Sequence, residues 1–338
     1  MSRVKVGVIG AGAWGRNHVR TAAASADCEL VAVCDEKPET RAALARQYPA
    51  VEFTDSVPDL LRRVEAVIIA TPAKTHTAIG RQAVEAGIPA LIEKPFALTV
   101  RDAEALAELA VQRKVPLLVG HLLEYHPVVE RLRTMVAEQT LGNLYYLYSQ
   151  RVNLGQVRPD ENALWSFGPH DVSVALFLLG ESPVRVAAQG HSYIQRGIED
   201  VVFLNMTFAS GVIAHVQMSW LDPHKERRLT LVGSRQMAVF DDMAVREKLR
   251  IYDKGVDRPP EYRSYGESLT IREGDIFIPR VPNLEPLNVQ FQHFIAVVRG
   301  QQAPRADHAD GVRVVRVLEA ASRSLAQGGA PMSVGGTG

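Results

Sequence analysis

The sequence is poor in cysteine, and it lacks any cluster of residues with metal-ligand spacing. Its two cysteines, Cys28 and Cys34, lie close together beside a predicted buried strand, so a disulfide framework is not expected. No grouping of cysteine and histidine has the spacing that metal sites use. We therefore expect no bound metal ion.

An excess of charge of one sign is also missing, because 38 basic residues balance 38 acidic residues. Nucleic acids and anionic membranes are therefore not expected as partners. The chain enters its first strand without the charged segment and apolar core of a signal peptide, and no apolar run is long enough to span a bilayer. The expected location is cytoplasmic.

What the sequence does contain is a nearly continuous apolar run, Val4–Ile9, that ends in three glycines spaced as G-x-G-x-x-G. Such a run is typical of a strand buried on both faces. The first glycine permits a tight turn, the second leaves the backbone open to a pyrophosphate, and the third lets the next helix pack closely on its strand. The residues expected to touch a dinucleotide here are Gly10, Gly12, Ala13, Trp14 and Gly15.

A second predicted strand, Leu30–Cys34, leads to Asp35, which follows the last glycine by about twenty residues. A carboxylate at this place accepts hydrogen bonds from the adenosine ribose and repels a 2′-phosphate, which favours NAD over NADP. Lys37 reduces that preference. The glycines alone could mark an ordinary strand-to-helix turn, but the strand, the helix and the acid in register indicate a cofactor site.

With 338 residues the chain exceeds the size at which one core usually stops growing, so two domains are expected. Strands and helices alternate in the first third, which predicts a doubly wound parallel sheet. After about residue 122, strands joined by short turns such as Ala209–Gly211 favour hairpins. The predicted fold class is α/β: an NAD-binding Rossmann domain over 1–122, and over 123–330 an α+β domain with a large mixed, mainly antiparallel sheet for substrate binding and oligomerisation.

The predicted elements follow from the apolar periodicity and the turn residues. Further strands of the first domain are predicted over Ala66–Ala70, Pro89–Ile92 and Pro116–Val119, and its helices over Thr75–Ala86 and Thr99–Arg113. Helices of the second domain are predicted over Pro127–Glu138, His170–Leu179, Val289–Arg299 and Ala309–Gln327. Its strands are predicted over Gly142–Asn153, Val184–Ser192, Asp200–Phe208, Gly211–Trp220, Arg227–Val232, Met237–Asp241 and Lys248–Tyr252. Asp253–Pro286 is predicted to be a long excursion, and residues after Val334 a frayed tail.

Several motifs together carry a family resemblance. The glycine motif, A-T-P-A-K-T-H over 70–76, E-K-P over 93–95 and V-G-H over 119–121 resemble the Gfo/Idh/MocA family of oxidoreductases along essentially the whole chain. Within that family, H-L-L-E-Y-H-P over 121–127 and the run over 151–171 resemble members that oxidise nucleotide-linked sugars, the UDP-N-acetylglucosamine and UDP-N-acetylglucosaminuronate 3-dehydrogenases. The resemblance implies an NAD-dependent dehydrogenase (EC 1.1.1) that assembles as a homodimer or homotetramer through the second-domain sheet.

The E-K-P motif follows a predicted strand at the sheet edge where open α/β sheets bind ligands. Lys94 could hold a sugar hydroxyl and stabilise a developing alkoxide, and the resemblance implies the same role. Glu93 is expected near the cofactor ribose, and Pro95 is expected to fix the turn through a cis bond. A solvated turn with an unremarkable lysine is the alternative.

His170 is the preferred acid–base residue, because imidazole titrates nearest neutrality and can take a proton as hydride departs. Asp171 could orient it, contact substrate or cap a helix. The family pattern puts an aspartate one helical turn earlier, where this chain has Ser166, so an aspartate–histidine pair is in doubt. The alternative is that His170 and Asp171 merely start a helix.

The remaining candidates come from position and from the resemblance. Thr71, Pro72 and His76 are expected to line the cofactor groove, although His76 could be a helix-surface residue. Arg151 and Arg158 would suit a diphosphate or a sugar carboxylate, or could be solvated. The predicted sugar contacts are Tyr125, Asn153, Asn162 and Trp165, of which Trp165 could instead belong to the core.

The sequence thus predicts reversible oxidation of a secondary alcohol of a sugar or nucleotide sugar, at C3 of a UDP-linked sugar if the resemblance holds in detail. Two alternatives stay open. One is a free polyol or aldose dehydrogenase, such as one for inositol. The other is a regulator that binds NAD without turnover.

Overall fold

The structure is a computed structural model that describes residues 2–155, 157–159, 161–257 and 270–335. The chain divides into two compact units, Met1–Tyr125 with Leu284–Arg316 and His126–Asn283 with Val317–Gly338. This differs from the expected division at 122/123, which assigns everything after that point to the second domain. The physical reason is that Phe291, Phe294 and Ile295 pack in the same core as the first strands.

In the described part of the first unit, a six-stranded parallel sheet has the order β3-β2-β1-β4-β5-β6, the doubly wound order. Its strands are β1 (Val4–Ile9), β2 (Cys28–Cys34), β3 (Glu52–Thr54), β4 (Ala66–Ile69), β5 (Ala90–Ile92) and β6 (Leu117–Val119). The helices packed with them are α1 (Gly15–Ala24), α2 (Pro38–Gln47), α3 (Val57–Leu61), α4 (His76–Glu85), α5 (Val100–Arg113) and α8 (Pro286–Val298). The parallel sheet predicted from the alternation is confirmed; α2, β3 and α3 were not among the predicted elements.

The central strands of this sheet are buried because helices cover both faces. Every residue of β4, β5 and β6 is buried, and β1 is exposed only at Lys5. Both cysteines are buried and free. The carboxyl ends of β1, β4, β5 and β6 point to the same edge, where their following turns carry the predicted cofactor residues.

In the described part of the second unit, a nine-stranded sheet has the order β14-β13-β12-β11-β7-β10-β9-β8-β15. Its strands are β7 (Leu144–Val152), β8 (Pro183–His191), β9 (Val201–Phe208), β10 (Ile213–Ser219), β11 (Glu226–Gly233), β12 (Met237–Asp241), β13 (Leu249–Asp257), β14 (Thr270–Phe277) and β15 (Met332–Ser333). All neighbours pair antiparallel except β10 and β7, which confirms a mixed, mainly antiparallel sheet. The predicted hairpin at Ala209–Gly211 joins β9 to β10, and Gly211 has a φ of 88° there.

Helices α6 (Pro127–Ala137) and α7 (Ala163–Leu179) belong to the second unit, and α9 (His308–Ala326) begins in the first and ends in the second. The prediction that a helix starts at about His170 is wrong. The cap is Asn162, whose Oδ1 accepts the N–H of Trp165 at 3.1 Å. Pro169 lies inside α7, and a Cβ on the preceding Gly168 would lie 3.0 Å from Leu318, so this stretch of the helix packs closely on α9.

The predicted excursion after Asp253 is also corrected. Strand β13 continues to Asp257, and β14 forms an edge strand over Thr270–Phe277. The residues of β14 are mostly exposed, so the strand has no apolar alternation that the sequence could show. The rest of that prediction, over 258–269, lies outside the described residues, as does the predicted tail from 336 onward.

Within the described ranges, no helix combines the length and apolar character that a bilayer crossing needs.

Candidate functional site

The loop after β1 is shaped by its glycines. Gly10 has a φ of 86°, and a Cβ there would lie 2.7 Å from the backbone of Ala70 and Thr71. A Cβ on Gly15 would collide with the carbonyl oxygen of Gly10, so α1 can start only on a glycine. A Cβ on Gly12 would meet nothing within 4 Å, which leaves that backbone accessible.

The same loop presents unused donors. Within the described residues, the backbone N–H groups of Gly12 and Ala13 have no hydrogen-bond acceptor. Both residues are exposed, and they stand directly before the N-terminus of α1. Free N–H groups at a helix N-terminus favour an anion such as a pyrophosphate.

Asp35 lies where β2 ends, half-buried beside this loop. Its Oδ2 accepts the N–H of Ala11 at 2.7 Å, and its Oδ1 accepts the N–H of Lys37 at 2.9 Å. The Arg41 guanidinium donates to the carbonyl oxygen of Asp35 at 2.6 Å and lies 3.4 Å from Asp55. The carboxylate predicted for the ribose is therefore held in place by the glycine loop itself.

The turn after β5 carries Glu93, Lys94 and Pro95, and the Lys94–Pro95 peptide bond is cis as predicted. Glu93 is buried, and its Oε1 accepts Nε1 of Trp14 at 2.7 Å and lies 2.8 Å from Nε2 of His18. Its Oε2 accepts the Lys94 N–H at 3.1 Å. The carboxylate thus joins the turn of Lys94 to the glycine loop.

The charge state of Glu93 follows from these partners. Burial opposes ionisation, but the hydrogen bond and charge of His18, with Trp14 and Lys94, hold the pKa of Glu93 below its ordinary value. Glu93 is therefore an anion at neutral pH. Lys94 itself is half-buried.

The predicted groove residues after β4 contact one another and the E-K-P turn. His76 is buried, with Nδ1 2.8 Å from the Pro95 carbonyl oxygen and Nε2 2.9 Å from the Thr71 carbonyl oxygen. The hydroxyl of Thr75 donates to that of Thr71 at 2.7 Å, and Pro72 is exposed. The helix-surface alternative for His76 is wrong, since its ring bridges the turns that follow β4 and β5.

In the second unit, His170 lies in the middle of α7 and is half-buried. Ser166 lies one helical turn before it, on the same helix face, and is buried. The structure therefore places a hydroxyl where the family pattern puts a carboxylate.

Asp171 follows His170 and is buried against the sheet. Its carboxylate accepts Nε of Arg151 at 2.6 Å and the hydroxyl of Ser149 at 3.0 Å. Arg151 and Ser149 both belong to β7, so these bonds fix α7 on that strand. Two predicted substrate contacts, Arg151 and Asp171, thus bind each other.

The other predicted substrate residues also have partners within the protein. The Trp165 indole donates to the Ser322 hydroxyl at 3.0 Å, and Asn162 donates to Glu199 at 2.6 Å. Exposed Arg158 lies 3.0 Å from Glu161. Asn153 is half-buried at the end of β7, where its backbone N–H donates to the Ser219 carbonyl oxygen.

Tyr125 belongs to the first unit and is 1% exposed. Its hydroxyl donates to the Arg305 carbonyl oxygen at 2.9 Å. Next to it, Glu124 is buried and lies 3.4 Å from Nδ1 of His121. Burial raises the pKa of Glu124, and the nearby His121 ring partly opposes that shift.

Sequence reasoning assigned no role to His18 or Ser149. The only available signal for His18 was its position in the first turn of the helix after the glycines. Ser149 gave none, because its bond to Asp171 depends on how α7 lies on the sheet.

Comparison with family models matches both parts of the chain. Residues 4–121 match the oxidoreductase family with an NAD-binding Rossmann fold, and residues 129–239 match the GFO/IDH/MocA C-terminal domain.

Relatives of known activity match along nearly the whole length. The UDP-N-acetylglucosamine 3-dehydrogenase of Acidithiobacillus ferrooxidans is 30% identical over 322 residues, 95% of this chain and 96% of that protein. The inositol 2-dehydrogenase of Rhizobium meliloti is 25% identical over 336 residues, 96% of this chain and 97% of that protein. The solved structure of UDP-N-acetylglucosamine 3-dehydrogenase GnnA from Acidithiobacillus ferrooxidans has a TM-score of 0.81 and 27% identity, covering 97% of this chain and 99% of that one.

Proposed function

Because the chain belongs to the Gfo/Idh/MocA family and is an NAD-binding oxidoreductase, we propose that it oxidises a ring secondary alcohol of a nucleotide-linked sugar to a ketone. The cofactor we propose is NAD rather than NADP. When bound, it supplies the hydride acceptor. The oxidised carbon we propose is C3, as in the name of the 30% identical relative.

The glycine loop is the observation that supports the cofactor in this proposal. The loop fits a dinucleotide because no atom lies within 4 Å of a Cβ placed on Gly12, which leaves that backbone accessible. The backbone N–H groups of Gly12 and Ala13 have no acceptor within the described residues, and Asp35 is already oriented by the Ala11 N–H. Through Glu93, the loop residue Trp14 is tied to the turn that carries Lys94. The residues that hold the cofactor and the residue that holds substrate therefore start from one connected structure in the first unit.

The chain's own residues have separate tasks. His170 takes the proton from the substrate hydroxyl and returns it in the reverse reaction. Lys94 donates a hydrogen bond to that oxygen and stabilises its developing negative charge. Buried Glu93 holds the Lys94 backbone, and the Arg151–Asp171 pair fixes the helix segment of His170.

We also propose self-association through the nine-stranded sheet. Tyr146, Phe203 and Ile213 are exposed, and they alternate with buried residues on β7, β9 and β10. An exposed apolar face of this kind is typical of a subunit interface. Phe203→Asp should lower the molar mass measured by light scattering, and an unchanged mass would contradict this interface.

A free polyol is the second candidate substrate, supported by the 25% identical inositol 2-dehydrogenase. A thermal-shift screen with NAD present separates the candidates, since a true ligand raises the melting temperature by mass action. UDP-sugars, free sugars and inositols form the panel. Stabilisation by inositols alone would reject the nucleotide sugar.

Turnover tests the roles of the two residues. We expect Lys94→Ala and His170→Ala each to lower kcat by about 100-fold or more, with little change in NAD affinity. Lys5→Ala and His191→Ala are matched controls, because both side chains are exposed and belong to β1 and β8. Retained turnover in both test variants would reject the roles. NAD binding without NADH formation from any panel member would favour the regulator.

A further inference from the structure

Two arginines lie side by side on the sheet of the second unit. Arg227 of β11 is the direct antiparallel partner of Arg151 of β7. Directly paired residues of neighbouring strands point to the same face. Since Arg151 bonds Asp171 of α7, Arg227 also points to the face that α7 covers.

The charges around Arg227 are paired elsewhere. Asp171 is held by Arg151 at 2.6 Å, and Asp242 lies 3.0 Å from Lys248 Nζ and 3.6 Å from His126 Nε2. Of the five charged groups Arg151, Arg227, Lys248, Asp171 and Asp242, one positive charge is left over.

That charge is on Arg227. Within the ranges 2–155, 157–159, 161–257 and 270–335, its guanidinium has no hydrogen-bonded or ion-paired partner, and the side chain is exposed. The pKa of Arg227 is lowered, first because part of the group is removed from water and second because Arg151 is positive. Asp242 and Asp171 oppose this shift.

We propose that Arg227 binds an oxyanion of the substrate, a phosphate of a nucleoside diphosphate or a sugar carboxylate. The inference rests on the proposed function. Its guanidinium fork can bind either group through two parallel hydrogen bonds. The anion would gain a partner without displacing one, since Arg227 has none to lose.

Arg227 is linked to the helix of His170 through Arg151 and Asp171. His170 precedes Asp171, Asp171 holds Arg151, and Arg151 pairs in register with Arg227, all inside one unit. The sequence favoured Arg151 and Arg158 for this role. Arg151 is already neutralised by Asp171, and Arg158 lies 3.0 Å from Glu161. The role therefore passes to a residue that the sequence did not single out.

Calorimetry with NAD present tests this without turnover, using uridine diphosphate, glucuronate and glucose as probes. We expect Arg227→Ala to weaken one of the two anions about 10- to 100-fold and to leave the weak affinity for glucose unchanged. Arg228→Ala is the matched control, because it neighbours Arg227 on the opposite strand face and lies 3.5 Å from Asp241. Arg227→Gln serves as the second variant, and Arg227→Lys should keep part of the affinity.

The two anions distinguish a phosphate from a sugar carboxylate as the group that Arg227 binds. A loss confined to uridine diphosphate identifies the phosphate, and one confined to glucuronate identifies the carboxylate. The proposal is overturned if neither anion binds the natural protein, or if Arg227→Ala and Arg228→Ala bind both equally well. Anion binding that depends on Arg227, without any NADH formation, would reject the proposed dehydrogenase activity and leave the role of Arg227 standing. Turnover of a nucleotide sugar with an unchanged KM in Arg227→Ala would reject this inference alone.

Discussion

The indole Nε1 of Trp14 donates a 2.7 Å hydrogen bond to Oε1 of Glu93, although the two residues are 79 positions apart. Trp14 belongs to the glycine loop, and Glu93 precedes Lys94. One carboxylate therefore couples the loop expected to hold phosphate to the turn expected to hold substrate.

A double-mutant cycle measures this coupling. We expect Trp14→Phe and Glu93→Ala to show a coupling free energy of about 1 to 2 kcal/mol in urea unfolding. Each single variant already loses the charge-assisted hydrogen bond, so the double variant does not lose it a second time. Trp14 is 44% exposed, so the lower end is expected. Additive effects would show that the bond contributes nothing. Trp14→Phe with Glu65→Ala is the control pair, because the Glu65 carboxylate accepts the Lys5 N–H and not Trp14.

Replacing Asp35 tests cofactor preference. Asp35→Asn keeps an acceptor for the Ala11 N–H but removes the charge, so NAD affinity should fall about tenfold while NADP affinity is kept or improved. The measurement is the dissociation constant of each cofactor from fluorescence titration. Asp55→Asn removes an exposed carboxylate beside Arg41 and is the control. An unchanged ratio of the two constants would contradict the ribose contact.

The Arg151–Asp171 pair should behave as a buried ion pair. Removing one partner leaves a buried charge, so Asp171→Ala should lower the free energy of unfolding by about 3 kcal/mol. Replacing both residues with apolar ones, Arg151→Met with Asp171→Leu, should restore most of it. Glu161→Ala breaks the exposed pair with Arg158 and should cost less than about 1 kcal/mol. Equal losses from both pairs would refute this assignment.

Glu124 gives a pH-dependent prediction. Because burial raises the pKa of Glu124 in the folded state, the folded chain binds this proton more readily than the unfolded chain. The resulting penalty is complete above the folded pKa and vanishes as pH falls below the unfolded value of about 4.3. Glu124→Gln should therefore raise the melting temperature by about 2 to 4 °C at pH 8, with a smaller gain toward pH 4.

Melting curves of both proteins across this pH range provide the measurement. Glu130→Gln, half-buried on α6, is the control. A lower melting temperature of Glu124→Gln at pH 8 would mean that the contact of Glu124 with His121 outweighs the burial cost, contrary to this prediction.

The first unit was largely predictable, and particular residues show why. The glycine loop, Asp35 and the cis bond at Pro95 each depend on a few contiguous residues whose backbone geometry is restricted. The start of α7 was not predictable in the same way. Pro169 indicates a helix boundary, but α7 begins after Asn162 and continues through Pro169, where Gly168 lies close to Leu318 of α9.

The partners of the candidate side chains were not predictable either. The sequence gives no reason to distinguish Arg151 from Arg158, yet Arg151 is largely buried and bonds Asp171, whereas Arg158 is exposed beside Glu161. Arg227 and Arg228 are adjacent, and only the register of β11 with β7 shows that Arg227 lies on the same sheet face as Arg151.

The sequence by itself thus determined the glycine loop, the acid that follows it, the alternating α/β order and the family. These features are local, because they depend on backbone freedom and apolar periodicity over short stretches. Only the tertiary structure decided that Glu93 holds Trp14 and Lys94, that Asp171 neutralises Arg151, and that Arg227 is left as the unpaired cation of its cluster within the described chain. The reason is that charge pairing depends on strand register and helix docking, which bring together residues far apart in the chain.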